Sequence, residues 1–181
     1  MVELRTARLL LRELAPGDAP ALHAIECLAD VVRYMTHEPQ SLADAEEYIA
    51  RVTAMHAASP RELYEFAVIP AGESTLIGRC GLRITDAAAE QAMIWYVLSP
   101  SHQGRGYMSE AAIALMDFAF GGLGMHRVYA DIDPRNERSK KLAERLGMRF
   151  EAHMRENVVI KGERCDTCIF AMLKREWLAR R

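Results

Sequence analysis

A glycine-rich turn between a strand and a helix carries the clearest chemical signal in this sequence. The segment 103–106 reads Gln-Gly-Arg-Gly; apolar residues before it predict a strand over 91–98, and helical spacing begins at Tyr107. Glycine lets backbone N–H groups approach a ligand closely, because no Cβ intervenes. The first turn of a helix adds unpaired N–H groups and a partial positive charge. Together they suit a phosphate or diphosphate, and Arg105 offers a direct charge contact.

Two other interpretations of this turn remain open from the residues alone. The glycines would also serve a strand-to-helix turn that needs them only for its geometry. A nucleotide-binding α/β domain is the second alternative, although no Gly-Lys-Ser/Thr follows, as a Walker loop requires. A dinucleotide fingerprint would also place glycine where this chain has Ser109.

A second polar element begins 30 residues after Gly106, at Asn136 and Ser139. The spacing predicts a helix over 139–146, closed by Gly147 as its C′ residue. Asn136 suits either a helix cap or an amide that binds a ligand, and Ser139 shares its helix face. Taken alone, a cap and a surface hydroxyl explain both residues.

Apolar periodicity predicts the elements that position these two segments. Ser41 is placed as the N-cap of one helix. The order indicates a mixed α/β domain, and no repeat or linker divides residues 1–181. Predicted strands span 9–14, 64–69, 75–84, 91–98, 127–132, 150–160 and 164–173, and predicted helices span 19–28, 42–55, 107–121 and 139–146.

Composition narrows the classes of function. Half of the 181 residues are hydrophobic and the net charge is −2, which argues against a nucleic-acid binder with its basic face. No apolar run is long enough to cross a bilayer, so we expect a cytoplasmic protein. Cys165 and Cys168 form a C-x-x-C pair, but residues three apart on a strand point to opposite faces. We therefore expect reduced thiols and no metal site.

The two polar elements, in this order and at this separation, resemble the GNAT superfamily of N-acetyltransferases. Within it, the chain is most similar to the Rim-type acetyltransferases that act on ribosomal-protein N-termini. The resemblance covers nearly the whole chain, and other stretches typical of that subfamily are 6–12 (TARLLLR), 18–22 (DAPAL), 32–35 (VRYM), 45–49 (AEEYI), 124–128 (GMHRV) and 174–177 (KREW).

The resemblance implies a mostly antiparallel central sheet of about seven strands, with a splayed central strand pair and flanking helices. It also implies acetyl-coenzyme A as cosubstrate, with no metal. Asn136 would bind the pantetheine arm, and Lys140 or Lys141 would meet the ribose phosphate or remain solvated. The backbone of Tyr96, Val97 and Leu98 would pair with the pantetheine arm, and the diphosphate would lie on Gln103, Gly104, Arg105, Gly106, Tyr107, Met108 and Ser109.

For catalysis, the resemblance implies direct attack of an amine on the thioester in a ternary complex. A backbone N–H near Leu98 would stabilise the oxyanion, and Ser139 would protonate the leaving thiolate. Where many relatives have Glu and Gly on the strand before the loop, this chain has Met93 and Trp95. The usual base is therefore absent. Substitutes left open are Glu156, Glu90, Asp131 and an ordered water, and Glu156 equally suits a solvated strand position.

The missing carboxylate affects which kind of acceptor amine we expect. An α-amine is partly neutral at pH 7, whereas a lysine amine is almost fully protonated. We therefore expect a protein N-terminal α-amine, such as that of a ribosomal protein, or a small-molecule amine. We also expect a monomer or homodimer. The changes at Met93 and Trp95 also leave open a non-catalytic acyl-coenzyme A sensor or interaction module.

Overall fold

The computed structural model describes residues 2–180, in which eight strands form one sheet between two layers of helices. The sheet order is β1-β2-β3-β4-β5-β6-β8-β7, and β5–β6 is its one parallel pair among the described strands. The strands are β1 (Glu3–Arg5), β2 (Leu9–Glu13), β3 (Leu63–Pro70), β4 (Gly78–Asp86), β5 (Gln91–Leu98), β6 (Arg127–Ile132), β7 (Arg149–Ile160) and β8 (Glu163–Leu173).

The mixed, mostly antiparallel fold expected from the sequence is confirmed, with two corrections to the strands. The sheet has eight strands, because Glu3–Arg5 pairs with Leu10–Arg12 and adds β1 at the edge. Three residues are too few to show an alternating pattern. The strand expected from position 75 begins at Gly78. The bounds of β5 and β6 match the sequence prediction.

The helices cover both faces of the sheet and divide its core in two. Buried residues of α1 and α3 pack with Ala67, Ile69 and Val97 on one face. Buried residues of α4 and α5 pack with Leu82 and Ile94 on the other. The helices are α1 (Ala19–Glu26), α2 (Ala29–Val32), α3 (Leu42–His56), α4 (Tyr107–Asp117), α5 (Glu137–Arg145) and α6 (Lys174–Leu178).

Helix ends follow local chemistry with small corrections. Ser41 caps α3 as expected, since its Oγ accepts the Asp44 N–H at 3.2 Å. Leu42, an apolar residue in the first turn of this helix, is 42% exposed. The α4 helix gives way to a wider π-turn at Phe118–Gly122. The α5 helix, predicted over 139–146, begins at Glu137, two residues before the predicted start, because Asn136 caps it.

The functional consequence of this topology is a split in the middle of the sheet. Strands β5 and β6 pair only over Gln91–Met93 and Arg127–Tyr129. Beyond that point β5 stays with β4, to Leu98, and β6 stays with β8, to Ile132. The two strands therefore diverge and leave a gap that points toward the glycine turn.

Candidate active site

A long cleft begins where β5 and β6 diverge and ends at the glycine turn. Its walls are the diverging halves of the two strands, residues 94–98 and 129–133, together with the first turns of α4 and α5. The segment between α2 and α3 closes its opposite end through residues that include Thr36, His37 and Gln40. The cleft thus joins the two sequence elements singled out for their chemistry.

The backbone of β5 supplies unpaired groups to this cleft. Ser99 N–H donates to Ile77 C=O at 2.8 Å, and the β4–β5 register places Leu98 opposite Gly78. Hydrogen-bonded and non-hydrogen-bonded pairs alternate in an antiparallel ladder. The N–H and C=O groups of Leu98, and of Tyr96 two residues earlier, therefore face the gap.

The alternation corrects one expectation for β5. Val97 directs its backbone to Arg79 of β4 and so cannot pair with a ligand in the gap. Its side chain is buried against the α1–α3 layer. Of the three residues expected to pair through their backbone, Tyr96 and Leu98 are free to do so.

The glycine turn has the open conformation that an anion site requires. Gly104 and Gly106 have φ of +77° and +80°, and a Cβ at Gly104 would enter open space with no atom within 4 Å. The first α-helical bond of α4 runs from Glu110 N–H to Gly106 C=O. The N–H groups of Tyr107, Met108 and Ser109 consequently have no partner within the helix.

An ionic contact from the N-terminal strand region holds this turn in place. Arg8 Nε donates to Glu110 Oε2 at 2.7 Å, and Arg8 Nη1 donates to the Arg105 carbonyl at 3.1 Å. The Thr6 hydroxyl donates to Glu110 Oε1 at 2.6 Å. Burial alone would raise the pKa of Glu110, but the hydrogen bonds from Thr6 and Arg8 outweigh it and lower that pKa.

The α5 helix turns a basic face to the cleft. Arg138, Lys141 and Arg145 line it, and their spacing of three and four residues puts them on one helix face. Arg138 Nη1 also donates to Gln103 Oε1 at 2.7 Å, and so joins α5 to the turn. Sequence reasoning missed Arg138 and Arg145, although that spacing was a readable signal.

Two cations proposed from sequence lie outside the cleft. Arg105 is exposed and does not line it, so its main chain is what the turn uses. Lys140 Nζ donates to Glu137 Oε1 at 2.6 Å and to the Pro134 carbonyl at 3.0 Å. Lys141, which lines the cleft, is the lysine placed to meet a phosphate.

Asn136 and Ser139 lie together at the start of α5, on the cleft wall. The Asn136 Oδ1 atom accepts the Ser139 N–H at 3.2 Å, so the amide caps the helix. The Tyr96 hydroxyl donates to the Ser139 carbonyl at 3.2 Å. Burial raises the pKa of Tyr96 to about 12 and keeps the phenol neutral at physiological pH.

The opposite end of the cleft rests on a buried ionic network that the sequence did not reveal. Arg79 Nε donates to Glu26 Oε1 at 2.6 Å, and Arg79 Nη1 donates to Glu65 Oε1 and to the Tyr48 hydroxyl. Trp95 Nε1 donates to Glu65 Oε1 at 3.2 Å. Trp95, which stands where many relatives have Gly, is therefore part of this network.

Of the three carboxylates proposed as substitute bases, only one lines the cleft. Glu156 lies in the irregular stretch of β7 between Met154 and Val158, with φ of +50°, and its exposed side chain does not line the cleft. Glu90 lies before β5 in the turn away from the gap and does not line it either. Asp131 lines the cleft on β6, where partial desolvation raises the pKa of its carboxyl.

No cysteine among residues 2–180 lines the cleft. All four thiols are free, and burial raises the pKa of Cys80 and of Cys168. Within the same residues, no group of three or more potential ligands is gathered to hold a metal ion. No described helix is both long and apolar enough to cross a membrane.

A divergent strand pair, a glycine turn at a helix N-terminus and a basic helix face together define an acyltransferase site for a ligand with a diphosphate and an extended amide arm. The family model described as "Acetyltransferase (GNAT) domain" matches residues 8–149. The chain therefore belongs to the GNAT acetyltransferase family and is an acyltransferase, as the resemblance implied. Members of this family use acetyl-coenzyme A (acetyl-CoA).

Relatives support this membership over the full length of the chain. An N-acetyltransferase of Bacillus licheniformis, p20, is 31% identical over 98% of this chain and 99% of its own. A GNAT-family acetyltransferase structure from Bacillus anthracis matches with a TM-score of 0.86 at 26% identity, covering 97% of this chain and all of that one.

Two further solved structures carry acceptor names, both from Vibrio cholerae. One is a spermidine N-acetyltransferase in complex with CoA and spermine, with a TM-score of 0.81 at 25% identity over 96% of this chain and 99% of its own. The other is described as a putative ribosomal-protein-serine acetyltransferase, with a TM-score of 0.77 at 25% identity over 95% and 97%.

Proposed function

We propose that this enzyme transfers the acetyl group of acetyl-CoA to a primary amine by direct attack in a ternary complex. The observation that carries the proposal is the backbone of Tyr96 and Leu98, which is not hydrogen-bonded to β4 and faces a gap ending at the glycine turn. An amide-bearing arm laid along β5 would bring its thioester to the point where the strands part.

The residues of the glycine turn and α5 would hold the cofactor. The N–H groups of 104–109 suit the diphosphate, with Gln103 positioned by its bond from Nε2 to the Leu98 carbonyl at 3.3 Å. Lys141 suits a phosphate, and Asn136 lies where an amide can meet the pantetheine arm. When bound, the cofactor supplies an acetyl thioester that an uncharged amine can attack.

Two groups would assist the chemical step. The Leu98 N–H is proposed to stabilise the developing oxyanion, a contribution worth about 3–4 kcal/mol. Ser139, beside Tyr96 on the cleft wall, is proposed to protonate the leaving thiolate. The absence of any cleft cysteine among residues 2–180 supports direct transfer over a covalent thiol route.

The acceptor is proposed to be a protein N-terminal α-amine or a small-molecule amine. Similarity to a spermidine enzyme and to a ribosomal-protein acetyltransferase supports both classes. We further propose a cytoplasmic enzyme that acts as a monomer or homodimer, with no nucleic-acid or membrane partner.

An acetyl-transfer screen tests this function. Purified protein with acetyl-CoA is offered spermidine, N-terminal peptides beginning with Ala or Ser, and free amino acids, and released CoA and acetylated product are both measured. We expect one class to be acetylated with saturable kinetics. Acetyl-CoA binding without transfer to any amine would favour the sensor or interaction module instead, and a thermal shift with ATP or NAD alone would favour a nucleotide-binding domain.

A further inference from the structure

A histidine at the end of the cleft opposite the glycine turn, which we call the acceptor end, contacts the buried ionic network. Glu26 is fully buried, with one carboxylate oxygen bound by Arg79. Its other oxygen, Oε2, lies 3.2 Å from Nε2 of His37. Both atoms are buried and neither makes a well-aligned hydrogen bond among the described residues, so the two side chains are in close contact only. His37 lines the cleft, and its side chain is 31% exposed.

The charges of the buried members of this network do not cancel. Glu26 and Glu65 each carry a negative charge and Arg79 one positive charge, so the three side chains sum to −1. All three are at least 95% buried, at 0%, 1% and 5% exposure. Since an uncompensated buried charge is costly, polar groups next to Glu26, His37 among them, help to stabilise the network.

The main chain holds the histidine in this position. Gln40 N–H donates to the Glu26 carbonyl at 3.0 Å, and a ring nitrogen of His23 lies 3.0 Å from the Gln40 carbonyl. Lys161, in the turn between β7 and β8, donates to the Val32 carbonyl at 2.9 Å. The segment that carries His37 is thus tied both to the helix of Glu26 and to the far hairpin.

We propose that His37 is the general base for the acceptor amine and that Glu26 is its positioning residue, an inference that rests on the proposed function. With Nε2 3.2 Å from the Glu26 carboxylate, the neutral imidazole would accept a proton at Nδ1. The amine N–H gives its proton to Nδ1 while the nitrogen forms a bond to the thioester carbon. The C–S bond breaks, and its electron pair leaves on sulfur.

This arrangement supplies a proton acceptor in place of the carboxylate that is missing at Met93. A carboxylate on β5 would act directly from the sheet, whereas here the proton acceptor comes from the segment between α2 and α3. The titratable and charged groups around His37 include Glu26 from α1, Arg79 from β4, Asp44, Glu47, Tyr48 and Arg51 from α3, and Glu38 beside it in the chain.

The test compares His37→Gln, Glu26→Gln and Asp131→Asn, using the best acceptor found in the screen. General-base catalysis contributes about 10²–10⁴-fold, so we expect His37→Gln to lower kcat by at least about 100-fold, with acetyl-CoA affinity unchanged. Raising the pH should restore part of the lost rate, because the amine then loses its proton to bulk water. Glu26→Gln, compared at equal concentrations of folded protein, should give a smaller loss of kcat.

A matched control is His153→Gln, because His153 also contacts a carboxylate, Asp166, at 2.7 Å, but does not line the cleft. We expect normal kcat from it. Unchanged kcat in His37→Gln, a loss that pH does not relieve, or the large loss falling on Asp131→Asn would overturn this assignment while leaving acetyl transfer intact. Wild-type protein that binds acetyl-CoA and acetylates no amine would overturn the proposed function together with it.

Discussion

The two ends of the cleft are built in opposite ways. At the cofactor end, the turn at 103–109 and the start of α5 present backbone N–H groups and solvent-accessible cations. At the acceptor end, buried and partly buried side chains from six separate parts of the chain converge: Glu26, His37, Tyr48, Glu65, Arg79 and Trp95. The first end is local in sequence and the second is assembled only by tertiary folding.

This difference has an energetic consequence. Backbone donors and exposed cations contribute to ligand affinity, and their loss leaves the core intact. Buried paired charges are different, because removing one partner leaves the other desolvated and uncompensated. Substitutions at the cofactor end should therefore act mainly on binding, and those at the acceptor end mainly on folding.

The largest effect is expected from Arg79→Met, which leaves Glu26 and Glu65 buried without their shared cation. We expect a loss of about 3–5 kcal/mol in the free energy of unfolding, measured by urea denaturation. Arg83→Met is the control, since Arg83 is exposed on the same strand and should change stability by no more than about 0.5 kcal/mol. Equal losses would remove the contrast between the two ends.

Gly104→Ala tests the cofactor end. An alanine at φ of +77° costs about 1–2 kcal/mol of backbone strain. The added methyl group also enters the space where the anion is proposed to lie. We expect the Kd for acetyl-CoA, measured by calorimetry, to rise about tenfold, or roughly 1.4 kcal/mol.

Gly72→Ala separates strain from binding. Gly72 has φ of +86° and open space around its Cβ position, but lies in the turn after β3, outside the cleft. It should lose similar stability and keep full affinity. An affinity loss as large as that of Gly104→Ala would mean that strain alone weakens binding.

Glu110→Gln tests how the glycine turn is held. The lowered pKa of Glu110 means that its carboxylate stabilises the fold above the ordinary glutamate range, and that this contribution is lost as the pH falls through the folded-state pKa. At pH 7 we expect a fall in Tm of roughly 2–4 °C. The gap to wild type should narrow as the pH falls below that range, whereas Glu46→Gln, exposed on α3, should show no gap at either pH.

The smallest effect is expected from Lys141→Gln, because the lysine is exposed at the cleft wall. We expect about a twofold to fivefold rise in the Kd for acetyl-CoA, the range of an exposed ion pair. The difference should shrink in high salt. Lys140→Gln, one residue away but bound to Glu137, should leave the Kd unchanged.

The sequence predicted most of the cofactor end because its parts are contiguous. The bounds of β5 and β6, the turn of 103–106 and the capped start of α5 all follow from short patterns of apolar spacing, glycine and a cap. One error arose where a pattern was short, because the three-residue β1 was missed. The charge contact expected from Arg105, which is exposed at the turn, stays a prediction.

The sequence by itself determined the family, the order of most elements and the location of the glycine turn. These features depend on local backbone preferences and periodicity, which neighbouring residues are enough to show. Only the tertiary structure decided which carboxylates are exposed and which are buried beside the cleft. Glu156 and Glu26 are equally acidic in the sequence, yet the first lies on an exposed bulge and the second is buried beside His37. That outcome depends on packing between residues as far apart as Glu26 and Arg79, which no local pattern encodes.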